Sequence, residues 1–294
     1  MLSLESTIIA HGMPYPKNLE YARRAETLCE ELGVVPATIA IIDGQICIGL
    51  EDFELETIAT SKNVKKVSIR ELGLATSRGW SGATTVSSTA YIANKNNIDV
   101  FSTGGIGGVH QGVGSSFDIS QDLIALSKTP MVIVSAGVKS ILDLPKTYEL
   151  LETLGVSLVG YKTDELPSFY SRFSGITGLH TVESPSEVVE LFSNNLQIGL
   201  TTSTLVFNPI DIKDQIPQKE IEIAIEGAKV EMEKQKISGK DVTPFLLGHV
   251  VKVTGGRGLD ANIALALNNV QLGAEIAKET KKGGFKVESF VQTP

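Results

Sequence analysis

The stretch MVIVSAGVKSILDLPKTYELLETLGVSLVGY, residues 131–161, decides the fold. MVIVSAG is a short apolar run rich in β-branched residues, as a buried strand requires. KSILDLPKTYELLETLG reads as a helix beginning near the end of that strand. VSLVGY is a further strand. Strand, helix and strand in succession point to an α/β layer arrangement, with helices covering a parallel sheet.

The same alternation extends outward in both directions. Toward the N-terminus, NLEYARRAETLCEELG has apolar residues near 3.6 spacing and stops at Gly33. VVPATIAIIDGQICIGL predicts two strands around the turn signal Asp43-Gly44. EDFELETIATS is a short helix, and Thr84 or Thr85 caps a helix through VSSTAYIANKN. IDVFST is a buried strand running into a glycine-rich stretch. Toward the C-terminus, SPSEVVELFSNN is a capped helix and IGLTTSTLVFN a strand. Three further helical segments follow, in QKEIEIAIEGAKVEMEKQKI, TPFLLGHVVKVTGG and LDANIALALNNVQLGAEIAKETKK. The expectation is one α/β domain over residues 1–294, with a mixed, mostly parallel central sheet and a helix-rich C-terminal third.

Bulk properties narrow the function. The 294 residues are 42% hydrophobic and 20% charged, with net charge −8. That is an ordinary globular balance, and it offers no basic face for a nucleic-acid backbone. No apolar run reaches the roughly 18 residues of a membrane span, and the N-terminal stretch lacks the pattern of a signal peptide. Cys29 and Cys47 form neither a disulfide framework nor a zinc spacing. They are expected as buried small hydrophobes in a reducing cytoplasm.

In open α/β sheets, ligands lie at the carboxyl ends of strands. Two conspicuous segments follow strands in this way. STGGIGGVHQGVGSSFDISQDL, residues 102–123, holds six glycines around His110. It fails the dinucleotide pattern, because His110 stands where a third glycine is needed. It fails the P-loop pattern, because Val113 follows Gly112. What remains is a backbone free to adopt positive φ and to approach a ligand closely. Asp118 falls in the loop and suits a hard cation. Ser120 can cap a helix whose first turn holds Asp122. Their plainer reading is a structural turn and a helix start matched to its dipole.

The second segment, SAGVKS, places Lys139 at a strand-to-helix junction, where the helix dipole favours a neutral, nucleophilic amine. Elsewhere, Glu5 leads an apolar segment, and burial of its carboxyl would make it a general acid. Lys65, Lys66 and Arg70 in NVKKVSIREL are candidates for a phosphate site. A solvated lysine, an exposed glutamate and a solvated basic run are the plainer alternatives.

Taken together, ESTIIAHGMPYPKNLE, KKVSIREL, GATTVSST, FSTGGIGGVHQG, FDISQDL, VSAGVKSILDLPKTYELLETLGV and GLDANIALALNNV resemble the pseudouridine-5′-phosphate glycosidases, related to the indigoidine-cluster A proteins. They occur in family order from residue 5 to about residue 270. The resemblance implies a homotrimeric α/β enzyme with one divalent ion per subunit, usually Mn²⁺. It implies reversible cleavage of the C–C glycosidic bond of pseudouridine 5′-phosphate to uracil and ribose 5-phosphate. The ribose would be held ring-opened as a lysine imine.

By the same resemblance Glu5 is the proton donor, Lys139 the nucleophile and Asp118 the metal ligand. Lys66, Val86, His110, Ser120, Gln121, Asp122 and Asn262 contact substrate. The sequence departs from the family at Gln111, where arginine is usual, and at Ile69, often basic; both reduce local positive charge. Gln121 stands where a small residue is common, and Gly73 where proline is usual. Two other functions compete: a Schiff-base aldolase acting on another sugar phosphate, which needs Lys139 alone, and a non-catalytic nucleotide-binding module, which has no use for the acid.

Overall fold

The computed structural model describes residues 1–237 and 242–283. Ten strands form one sheet: β1 (Leu2–Glu5), β2 (Pro36–Ile42), β3 (Gln45–Ile48), β4 (Lys65–Val67), β5 (Gly82–Thr84), β6 (Val100–Ser102), β7 (Val132–Ser135), β8 (Ser157–Tyr161), β9 (His180–Val182) and β10 (Thr204–Phe207). Their order across the sheet is β4-β5-β2-β1-β6-β7-β10-β8-β9, with β3 paired to β2. From β1 to β9 every neighbouring pair is parallel, and β2 alone makes antiparallel pairings, with β3 and β5.

The helices are α1 (Thr7–His11), α2 (Lys17–Glu31), α3 (Asp52–Thr60), α4 (Leu72–Ser77), α5 (Val86–Lys95), the single turn α6 (Val113–Ser116), α7 (Gln121–Leu126), α8 (Leu144–Thr153), α9 (Pro185–Gln197), α10 (Gln218–Gln235), α11 (Val242–Val253) and α12 (Arg257–Gly283). The mixed, mostly parallel sheet and the helix-rich last third agree with the sequence reading.

Local chemistry explains the boundaries. Asp43 and Gly44 both take positive φ, 45° and 81°, which is what a two-residue hairpin turn between β2 and β3 demands. At α9, Pro185 follows Ser184, whose hydroxyl accepts the Glu187 N–H, while the Glu187 carboxylate accepts the N–H of Glu183. The middle of the sheet is apolar because it is covered on both faces. Val132, Ile133 and Val134 of β7 and Leu205 and Val206 of β10 are fully buried. Helix α12 lays Leu265, Ala266, Val270 and Ala274 against β6 and β7. Each large aliphatic side chain buried in this way contributes about 1.5–3 kcal/mol.

Three expectations change. Leu2–Glu5 forms a buried strand between β2 and β6, although these four residues gave no strand signal. The helix after β7 starts at Leu144, capped by the Asp143 carboxylate on the Lys146 N–H. Lys139 therefore sits in a bend five residues earlier, and the helix dipole does not act on it as the sequence suggested. Cys29 is buried as expected, but Cys47 is only half-buried.

Candidate active site

The chain leaves β1 toward β2 on one side of the sheet and later returns to β6 on the other. A reversal of this kind opens a crevice at the carboxyl ends of the strands. Three segments meet there: the end of β1 with Glu5, the residues after β6 starting at Thr103, and the residues after β7 up to Lys139. The β1–β6 register pairs Leu4 with Ser102, so the next step sets Glu5 beside Thr103.

Glu5 is 5% exposed, and its carboxylate accepts a hydrogen bond from the Thr103 hydroxyl. Burial raises its pKa above the ordinary 4.5, opposed by the cation of Lys139, the Thr103 hydrogen bond and Lys66, and reinforced by Asp122. Desolvation is the largest of these, so the carboxyl is biased toward its protonated form.

Lys139 is held by its backbone. Its N–H donates to Ile106 O at 3.1 Å, and Ile106 N–H donates to Gly137 O at 3.1 Å. These bonds carry the β6–β7 pairing past the strand ends and aim the half-buried side chain into the cleft. Lys66, on the edge strand β4, is also half-buried and lines the same wall.

The outer wall is the glycine stretch folded back on itself. His110 N–H donates to Asp118 O and Ser120 N–H to Gly108 O, both at 3.0 Å. Ser120 caps α7 by accepting the Asp122 N–H at 3.2 Å, as its position suggested. Asp122 is 6% exposed, and both carboxylate oxygens are committed: Oδ1 accepts Ser87 N–H at 3.0 Å and Oδ2 accepts Gly107 N–H at 2.9 Å. It therefore caps α5 from across the fold. Thr85, at the cap position, instead shares its hydroxyl with Ser87. Gln121 accepts the Arg70 N–H through its side chain at 3.2 Å.

The expected freedom to adopt positive φ is used at one of these glycines. Of the six, only Gly112 has positive φ, 77°. Gly107 is required by close approach, since a Cβ there would lie 2.3 Å from Ser120 Oγ and 2.7 Å from Asp122 Oδ2. Gly105 and Gly108 are crowded in the same way by Phe169 and Thr147, whereas a Cβ at Gly112 or Gly114 would meet nothing.

His110 Nδ1 stands 3.9 Å from Asp118 Oδ2. Burial lowers the His110 pKa, against the pull of Asp118 and aided by the cations of Lys66 and Lys139, so the imidazole is neutral near pH 7. The Asp118 side chain is 46% exposed. Among the described residues there is no cluster of three or more His, Cys, Asp or Glu side chains able to enclose a metal. A lone, open carboxylate fits a hard divalent ion that keeps most of its water, as Mg²⁺ and Mn²⁺ do.

Glu5, Lys66, Val86, His110, Asp118, Ser120, Gln121, Asp122 and Lys139 all line one cleft of about 310 Å³. Asn262 on α12 lines a smaller cavity of about 40 Å³ that shares Glu5, Lys66 and Lys139 with the cleft. The Asn262 Oδ1 is buried there without a hydrogen-bond partner, so the inner end holds an acceptor ready for a ligand N–H. Thr7, Thr103 and Thr243 also shape the site and were not read from the sequence. Thr103 had one usable signal, its place just after a buried strand. The larger cavity of about 440 Å³ lies behind the bend and is lined by Ser140 but not by Lys139 or Glu5. Gln111 faces that cavity and accepts a hydrogen bond from Lys229, so the missing arginine charge is not lost from the cleft itself.

A buried acid, an amine and an open carboxylate at the switch point of a parallel sheet define this protein as an α/β enzyme. The chain belongs to the family described as indigoidine synthase A like protein, whose model matches residues 1–279. It is 50% identical over 279 residues to the pseudouridine-5′-phosphate glycosidase of Petrotoga mobilis, covering 95% of this chain and 91% of the relative. It is also 50% identical to the pseudouridine-5′-phosphate glycosidase of Staphylococcus aureus, covering 96% and 92%. Among solved structures, an indigoidine synthase A-like protein from Thermotoga maritima superposes with a TM-score of 0.88 at 40% identity, covering 94% of this chain and 91% of that one. The prealnumycin C-glycosynthase AlnA, solved with ribulose 5-phosphate, gives 0.86 at 34% identity, covering 96% and 93%.

Proposed function

We propose that this enzyme cleaves the C–C glycosidic bond of pseudouridine 5′-phosphate, reversibly, to uracil and ribose 5-phosphate. The observation that carries the reading is the buried Glu5 carboxyl in the same cleft as the Lys139 amine. A C–C bond has no leaving heteroatom to protonate, so cleavage needs an electron sink at C1′ and a proton for the departing carbon. The Lys139 amine bonds to C1′ as the ribose ring opens and its ring oxygen takes a proton. The C1′–C5 bond then breaks. Its electron pair stays on the uracil carbon, which takes a proton from Glu5, and the nitrogen lone pair forms the imine. Water hydrolyses the imine to ribose 5-phosphate and restores the amine.

Lys66 presents positive charge to the phosphate, and Val86 at the start of α5 borders it. Ser120, Gln121 and His110 border the ribose, Asp122 holds that wall in place, and Asn262 takes a uracil N–H. Asp118 would hold a divalent ion, Mn²⁺ by family, which supplies charge stabilisation at substrate oxygens when bound. A homotrimer in the cytoplasm belongs to the same proposal; no helix among the described residues is long and apolar enough to cross a membrane.

The test is incubation with pseudouridine 5′-phosphate and Mn²⁺. Uracil release, with borohydride trapping a ribose phosphate adduct on Lys139, is the expected result. No uracil beyond a heat-killed control overturns the reading.

A further inference from the structure

Asn269 is fully buried on the apolar face of α12, among Leu265, Ala266, Val270 and Leu272. A buried amide in such surroundings is costly unless its donors and acceptor are paired. Here they are. Its Nδ2 donates to Thr103 O at 2.8 Å and to Gly104 O at 3.3 Å. Its Oδ1 accepts from Asn208 Nδ2 at 3.0 Å. Asn208, just past β10 and 6% exposed, also donates its backbone N–H to Ser135 O at 2.8 Å.

The two bonds from Asn269 land on two successive carbonyls, the shorter on Thr103 itself, whose hydroxyl donates to Glu5. The Thr103 N–H is pinned from the other side by Val134 O at 3.0 Å. Past the strand end, Thr103 O has no partner from the sheet. Asn269 supplies one, and so fixes both ends of the residue that holds the acid.

We propose that Asn269, anchored by Asn208, is a positioning residue that acts through Thr103 to fix the place and protonation of the Glu5 carboxyl. This rests on the acid role given to Glu5 above. The chain runs Asn208, Asn269, Thr103, Glu5 along the carboxyl ends of β10, β6 and β1. It is buried throughout, so water cannot substitute for a missing link. The Thr103 hydrogen bond favours the ionised carboxylate and opposes desolvation. The charged or titratable groups facing Glu5 are Lys139 beyond β7, Asp122 on α7, Lys66 on β4 and Tyr21 on α2. None belongs to the asparagine chain, so its loss changes one contact and leaves those charges in place.

The measurement is the titration of Glu5 itself, by carbon-13 NMR of glutamate-labelled protein, with Glu5→Gln assigning the signal. This readout does not need turnover, so an inactive wild type would sink the proposed reaction while leaving this proposal open to its own test. In Asn269→Leu the Glu5 titration moves to higher pH. Where the protein turns over, kcat falls about tenfold with KM within about twofold. Thr103→Val gives the same upward move, and adding Asn269→Leu to it has no further effect. Should Asn269→Leu fail to fold, Asn208→Ala at the outer end of the chain gives a smaller move in the same direction. A lowered melting temperature with the Glu5 titration unmoved in the folded variants overturns the proposal, because Asn269 would then be structural only.

Discussion

The two sides of the cleft are built on opposite plans. The inner side hangs on strand ends: Glu5 closes β1, Thr103 follows β6, and both are buried. The outer side hangs on a folded-back loop, where Asp118 is half-exposed and Phe117, at positive φ, is 81% exposed. Proton transfer to carbon depends on sub-ångström placement and on excluding water, and strand ends supply both. A hydrated divalent ion, as proposed for Asp118, would need open space and solvent, and a loop supplies those. Glu5 is thus placed by the core, whereas Asp118 is placed by a loop open to water.

The comparison can be broken first at its shared member. Lys139→Ala is expected to reduce uracil release to below about one ten-thousandth of wild type, with fold and ligand affinity kept. Activity above a tenth of wild type would remove the lysine from the chemistry. Glu5→Gln is expected to cost about 10²–10⁴-fold in kcat. It also has a stability signature. Burial raises the folded pKa of Glu5 above 4.5, so its contribution is complete below pH 4.5 and is lost as pH rises through the folded value. Glu5→Gln is therefore stabilised relative to wild type at pH 7 more than at pH 4, as paired thermal melts can read.

At the rim, Asp118→Ala is expected to weaken Mn²⁺ binding about 10–100-fold while leaving the melting temperature unchanged, because the side chain is open to water. Calorimetric titration of the substrate-free protein reads the first quantity. Asp122 marks the boundary between the two sides. Asp122→Asn replaces one of two backbone acceptors by a donor and is expected to cost about 1–3 kcal/mol of stability. Urea unfolding measures it, and an unchanged midpoint would show that the carboxylate is not holding α5.

Much of this was open to a reading of the sequence, for identifiable reasons. The β7–α8–β8 unit showed itself because its apolar runs were long enough to carry a period. The glycine stretch was visibly unlike known phosphate loops, and the resemblance joined Glu5, Asp118 and Lys139 into one site. What stayed hidden was non-local. Leu2–Glu5 is a strand only because β2 and β6 flank it, and β4, β5 and β9 are three residues each, too short for any pattern. The double role of Asp122 needs α5 and Gly107 brought to it from far along the chain. Asn269 carries no local signal, since an asparagine in a helical pattern reads as a solvent-facing residue until the facing carbonyls are known.

The placement of Glu5 on a central strand has a consequence for folding. The hydrogen-bond donor to Glu5 follows 98 residues later in the chain, and the asparagine behind that donor lies 166 residues beyond it. Contacts of such sequence separation form late and only after large loops have closed. A chain in which α12 has not yet formed therefore lacks the asparagine that braces the Thr103 carbonyl. The surroundings of Glu5 therefore depend on pairings between distant parts of the chain.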